Sequence, residues 1–117
     1  MVPIYRSDGA WVAVYERSHI FNIDGEWIGF VVGREVFDPA GQYLGFMSDD
    51  RRLLRKRSTG RRAPHASVPE QPARPNIPAN VPLAPLLPEL PFQIVDLFVE
   101  FPERLMYVAE TRPDMSD

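Results

Sequence analysis

The sequence predicts an all-β domain of hairpin repeats, followed by a polyproline strap and a short apolar tail. Three observations carry this. Apolar and aromatic pairs recur every 16 residues in the first half of the chain. All seven glycines lie at or before Gly60. Nine of the 13 prolines lie between Pro64 and Pro91. Glycine reaches the left-handed conformations that tight hairpins need, whereas proline denies a sheet its ladder donors. Residues 1–63 therefore read as the hairpin domain, 64–91 as an extended strap, and 92–117 as an apolar segment that turns acidic. Formal charge divides along the same lines, at +2, −1 and −4, which sums to the net −3 of the chain.

The repeats come first in the chain. Ile4-Tyr5, Ile20-Phe21 and Val36-Phe37 are spaced 16 apart, as are Trp11-Val12, Trp27-Ile28 and Tyr43-Leu44. Ala13, Gly29 and Gly45 share the spacing, and so do the turn glycines Gly9, Gly25 and Gly41. Leu53-Leu54 continues the first series one residue late, and Gly60 continues the turn series three residues late. This makes three good repeats and a degenerate fourth.

Each repeat reads as one hairpin. Asp38-Pro39-Ala40-Gly41 suits a type I turn closed by a left-handed glycine, which is the three-residue hairpin loop with a G1 bulge. Asn22-Ile23-Asp24-Gly25 and Arg6-Ser7-Asp8-Gly9 fit the same loop. In that register Tyr5 faces Trp11, Phe21 faces Trp27 and Phe37 faces Tyr43. On the other face Ile4 meets Val12, Ile20 meets Ile28 and Val36 meets Leu44, because side chains alternate along a strand. Val14, Phe30 and Phe46 are expected to extend the aliphatic face. Ala13, Gly29 and Gly45 are expected to leave room for a neighbouring ring. An isolated hairpin is marginal, so three or four must pack their aliphatic faces around a common axis.

Residues 1–62 resemble the 4-fold beta flower domain, a small bacterial module of four hairpin repeats with pseudo-fourfold symmetry. The resemblance rests on Asp8-Gly9 through Ala13, on Asp24-Gly25-Glu26-Trp27-Ile28-Gly29-Phe30, and on Ala40-Gly41-Gln42-Tyr43-Leu44-Gly45-Phe46. It implies a fold and brings no catalytic residues. The fourth repeat departs from the pattern: Gly60 is followed by Arg61-Arg62-Ala63-Pro64, with no aromatic–aliphatic–small triplet to form a return strand.

In the strap, prolines fall at 69, 72, 75 and 78, then at 82, 85, 88 and 91 after a one-residue slip. Three residues make one turn of polyproline II. From Pro69 to Pro91 a straight strap would span about 70 Å at about 3.1 Å per residue. That far exceeds the radius of gyration of about 13 Å expected for a 100-residue domain, so the strap must wrap its own domain, reach a neighbouring chain or extend into solvent. Val81, Leu83, Leu86, Leu87 and Leu90 argue against solvent. In the tail, Gln93 to Glu100 fits a short helix or a strand equally well. Pro102-Glu103 suits a helix start, with Arg104 to Ala109 continuing it. This apolar segment is expected to dock on the hairpins or on a neighbouring chain.

Composition closes off several chemistries. With no cysteine there is no disulfide, thiolate metal site or cysteine nucleophile. His19 and His65 are the only histidines, and no third group completes a catalytic triad with His19 at a recognisable spacing. No apolar run reaches the length of a membrane span, and no secretory leader is visible. The expectation is a cytoplasmic protein that is not an enzyme and uses no cofactor and no metal.

Two surfaces remain. Arg51, Arg52, Arg55, Lys56, Arg57, Arg61 and Arg62 place seven bases within twelve residues. Such a run can grip phosphate backbones or simply charge an edge hairpin. Trp11, Trp27 and Tyr43, with Tyr5, Phe21 and Phe37, can form a stacking platform or be covered by the strap. The function expected from the sequence is a protein-interaction or scaffold module whose partner is another protein or a second copy of itself. Nucleic-acid binding through residues 51–62 is the first alternative, and a small-ligand pocket on the symmetry axis the second.

Overall fold

A computed structural model describes residues 1–105 of the chain. Seven strands follow one another directly: β1 (Val2–Tyr5), β2 (Trp11–Glu16), β3 (His19–Asn22), β4 (Trp27–Val32), β5 (Glu35–Phe37), β6 (Tyr43–Met47) and β7 (Leu53–Lys56). The eighth, β8 (Ile94–Asp96), comes only after the strap. All are antiparallel and pair in sequence order from β1 to β8. A short helix, α1 (Leu97–Glu100), and a 3-10 turn (Pro102–Leu105) follow β8. The segment that reads equally as helix or strand is both, strand to Asp96 and helix after it. The expected helix start at Pro102 is a 3-10 turn, and the residues beyond Leu105 lie outside the described ones.

The three-residue loops form as the sequence predicts. Gly9, Gly25 and Gly41 have φ of 92°, 86° and 90°. Their amides donate to the carbonyls of Arg6, Asn22 and Asp38 at 2.8, 2.9 and 2.8 Å. Tyr5 opposes Trp11, Phe21 opposes Trp27 and Phe37 opposes Tyr43.

The aliphatic pairing differs from expectation by one residue. Ile4 opposes Ala13, Ile20 opposes Gly29 and Val36 opposes Gly45, with a register shift just before each aromatic pair. A second bulge in each hairpin inserts Val12, Ile28 or Leu44 as an extra residue. Two consecutive residues, such as Val12 and Ala13, then face the core together. Alternation resumes with opposite phase, so Phe30 lies on the aromatic face, its ring centroid 5.4 Å from that of Phe37. Val14 and Phe46 follow it there, opposite Phe21 and Leu54. The small residues make room for backbone rather than for a ring. A Cβ on Gly29 would lie 2.6 Å from the carbonyl oxygen of Phe37, and one on Gly45 only 1.9 Å from that of Leu54.

The core sits where the four hairpins converge. Each supplies one aliphatic pair: Ile4 with Val12, Ile20 with Ile28, Val36 with Leu44, and Leu53 with Leu97. All eight side chains are essentially inaccessible to solvent. Phe98 and Leu105 join the same cluster, so the segment after the strap is part of the core. The fourth hairpin is closed by β8, whose Val95 and Ile94 oppose Arg55 and Lys56, and not by residues following Gly60.

Candidate functional site

The strap covers the aromatic face. Tyr5, Phe21 and Phe37 are buried there, while Trp11, Trp27 and Tyr43 are half-buried along its margin. The strap crosses the hairpin turns in the order third, second, first. His65 donates its amide to the Gly41 carbonyl at 2.8 Å, and its ring packs against Phe37 at 4.8 Å. Arg74 donates to the Asp24 carbonyl and lies over Gly25. Tyr5 donates its hydroxyl to the Pro82 carbonyl at 2.7 Å, and Ala84 faces Gly9. The chain then reaches the fourth hairpin as β8.

A three-residue period runs along the strap. Pro69, Pro72 and Pro75 turn inward, and after the slip Val81, Ala84, Leu87 and Leu90 take over the inner edge. The slip that displaces the prolines therefore also rotates them outward, so Pro82, Pro85 and Pro88 are exposed. Leu83 and Leu86 stand on the outer edge, 95% and 92% exposed. The strap thus wraps its own domain, as its apolar residues suggest, while Val81, Leu87 and Leu90 turn inward and Leu83 and Leu86 do not. Grooves of 440 and 490 Å³ open beside them, the first lined by Tyr5, Arg51 and Pro82, the second by Asp8, Gly9 and Leu87. A third groove, of 410 Å³, lies between Trp27 and Pro72.

The basic run is dispersed. Arg52 is buried, pairs with Asp50 at 2.6 Å and donates to the Ser7 hydroxyl at 3.0 Å. Arg55 donates to the carbonyls of Leu44 and Tyr43 at 2.8 and 3.3 Å. Arg57 lies over the Phe92 ring at 4.4 Å. Arg62 lies over the Tyr43 ring at 3.8 Å and bonds both carboxylate oxygens of Glu35. Arg51, Lys56 and Arg61 are exposed, and Arg51 is held in a turn at φ 67°.

The aromatic series is divided between structure and surface. Trp11 donates its indole N–H to the Ala13 carbonyl at 2.9 Å. Trp27 Nε1 and the neighbouring His19 Nδ1 are buried with no hydrogen-bond partner among the described residues, their rings 5.8 Å apart. Burial holds the His19 imidazole below its ordinary pKa.

Sequence reasoning missed one polar centre. Asp96 is buried opposite Leu54, the register position that Trp11, Trp27 and Tyr43 hold in the other hairpins. It accepts from the amide and hydroxyl of Ser7 at 2.7 and 2.6 Å, and caps α1 by accepting from the Phe98 amide at 2.9 Å. Burial pushes its carboxyl above the ordinary value, against the downward pull of those donors. The available signal was a single acid between apolar residues, Val95 and Leu97. Through Ser7 this carboxylate ties the last strand to the first hairpin.

Among the described residues no helix is long and apolar enough to cross a membrane. No curated protein and no solved structure matches the chain. The 4-fold beta flower protein family matches residues 2–92, which takes in seven strands and the whole strap. With four hairpins around one aliphatic core and the strap laid across the turns of the first three, the chain belongs to the 4-fold beta flower protein family.

Proposed function

We propose that this chain is a non-enzymatic protein-interaction module of the cytoplasm, and that the outer edge of its strap is the contact surface. The observation that carries this is the exposure of Leu83 and Leu86, three residues apart on a segment anchored from beneath. A large apolar side chain left in water forgoes the stabilisation that burial brings, and two beside open grooves mark an interaction surface. The extended strap is already ordered by Tyr5 and by its inner edge, so a partner would meet a preformed ridge at low entropic cost. Proline-rich ridges of this spacing are read by aromatic-lined grooves, and the half-buried Trp27 beside Pro72 offers one such lining on a second copy.

The full chain and a Leu83→Ser/Leu86→Ser variant are to be compared by sedimentation velocity over a wide concentration range and by cross-linking in cells. The wild type is expected to self-associate or to cross-link to a protein partner, and the variant to lose that contact at unchanged melting temperature. A wild type that stays monomeric, with cross-links unaffected by the double substitution, would overturn the reading.

A further inference from the structure

A second surface lies away from the Leu83–Leu86 edge. Arg55, Arg61, Arg62 and Arg104 line one pocket of 130 Å³, with Gln42 and Tyr43 completing its wall. Three parts of the chain supply these groups. Gln42 and Tyr43 come from the third hairpin, Arg55, Arg61 and Arg62 from β7 and the residues after it, and Arg104 from the 3-10 turn behind the strap. Only the fold brings Arg104 to the others, since 42 residues separate it from Arg62 in sequence (104 − 62).

Three of these arginines, Arg55, Arg62 and Arg104, converge on Tyr43. Arg55 and Arg104 both donate to the same oxygen, the Tyr43 carbonyl, at 3.3 and 3.4 Å. Arg55 and Arg62 both lie over the Tyr43 ring, at 5.7 and 3.8 Å. Among the described residues, the carboxylate bonded to this group is Glu35, and it engages Arg62. Like charges at this spacing repel. Burial and then the neighbouring charge of Arg104 depress the Arg55 guanidinium below its ordinary value. Such an arrangement is stabilised by an anion placed among the charges.

We propose that this pocket binds a single tetrahedral oxyanion of the phosphate class. Guanidinium forks match the oxygens of such a group with two parallel hydrogen bonds, and the Gln42 amide can add a further donor. The volume of 130 Å³ equals about four times the ~30 Å³ share of one water. That accommodates one phosphate group. The arginine run thus acts at one point, with help from outside the run, rather than as a stripe along a polyanion.

The test is isothermal titration of the full chain with inorganic phosphate, with ionic strength held constant by sodium chloride. Binding is expected for the wild type, and Arg104→Gln or Arg62→Gln should each weaken it about tenfold or more, the loss of one charge-assisted contact. Arg34→Gln, outside the pocket, should leave it unchanged. Arg55 is left intact because it supports two backbone carbonyls. Tighter binding of a sugar monophosphate than of free phosphate would also support the site and identify an esterified group as its source. Three outcomes would overturn the proposal: no binding at millimolar phosphate, equal affinity in Arg104→Gln, or binding of a DNA duplex with a steep salt slope while phosphate stays silent.

Discussion

The first three hairpins and the fourth use the same aliphatic pairing but close in opposite ways. Hairpins one to three turn within three residues on a left-handed glycine, and each is complete within its 16-residue repeat. The fourth leaves at Lys56, runs the whole strap back across its sisters, and returns at Ile94. Local closure is encoded by a turn, whereas remote closure must be encoded by what the returning strand touches. Leu97 takes the place of Val12, Ile28 and Leu44 in the core, and Asp96 takes the place of the marginal aromatics. The strap is therefore the connection of the fourth hairpin as well as the cover of the aromatic face.

The seams between hairpins give the most severe test of this equivalence. Gly45→Ala would drive a Cβ into the Leu54 carbonyl, which lies on β7 and whose amide and carbonyl cannot move without disrupting the fourth hairpin. We expect a loss of at least about 4 kcal/mol in urea unfolding, large against the 5–15 kcal/mol typical of a domain. Gly60→Ala, where nothing lies within 4 Å of the added carbon, should change stability by no more than about 0.5 kcal/mol. A small effect of Gly45→Ala would mean that the third and fourth hairpins are not packed as the first three are.

Leu97→Ala asks whether remote closure matches local closure in strength. Truncating a fully buried leucine costs about 2–5 kcal/mol, the spread reflecting how far the site collapses. Leu97 and Ile28 are both shielded from solvent within one cluster, so Leu97→Ala and Ile28→Ala should fall together in that range by thermal or urea unfolding. A cost below about 1 kcal/mol for Leu97→Ala alone would reduce the tail to a loose attachment and break the comparison.

What the sequence disclosed follows from this division. The glycine turns and the Tyr5–Trp11, Phe21–Trp27 and Phe37–Tyr43 pairs were legible because loop length sets register a few residues away. The second bulge was not, since it answers to the approach of the next hairpin's carbonyl to Gly29 and Gly45, a contact between repeats. β8 was legible as an apolar segment that must dock, with strand and helix equally open, because its partner Arg55 lies 40 residues earlier (95 − 55). The basic run was legible as charge alone. Nothing in its spacing separates Arg52, buried against Asp50 and Ser7, from Arg61, which lines a pocket with Arg104.

Asp96→Asn gives the finest contrast, because the two regions hold their carboxylates in opposite electrostatic states. In the first hairpin's turn, the hydrogen bond from Arg6 holds Asp8 below the ordinary aspartate value. Such a group adds stability that is present above the ordinary value and lost as pH falls, a small effect for so exposed a pair. Asp96, raised by burial, has the opposite sign. As pH rises through 3.8, the unfolded chain ionises first and draws the equilibrium toward itself, so stability declines until the native carboxyl has also ionised. The asparagine side chain cannot ionise and presents one acceptor where Asp96 accepts three hydrogen bonds from Ser7 and Phe98. The substitution should cost about 1–3 kcal/mol. That cost should be largest at acid pH and narrow as pH rises, since only the wild type declines. Urea unfolding of both chains at successive pH values measures the gap. A gap that widened with pH would show that the Ser7 and Phe98 donors outweigh burial at this carboxylate, so that the lock between the last strand and the first hairpin is held by charge rather than in spite of it.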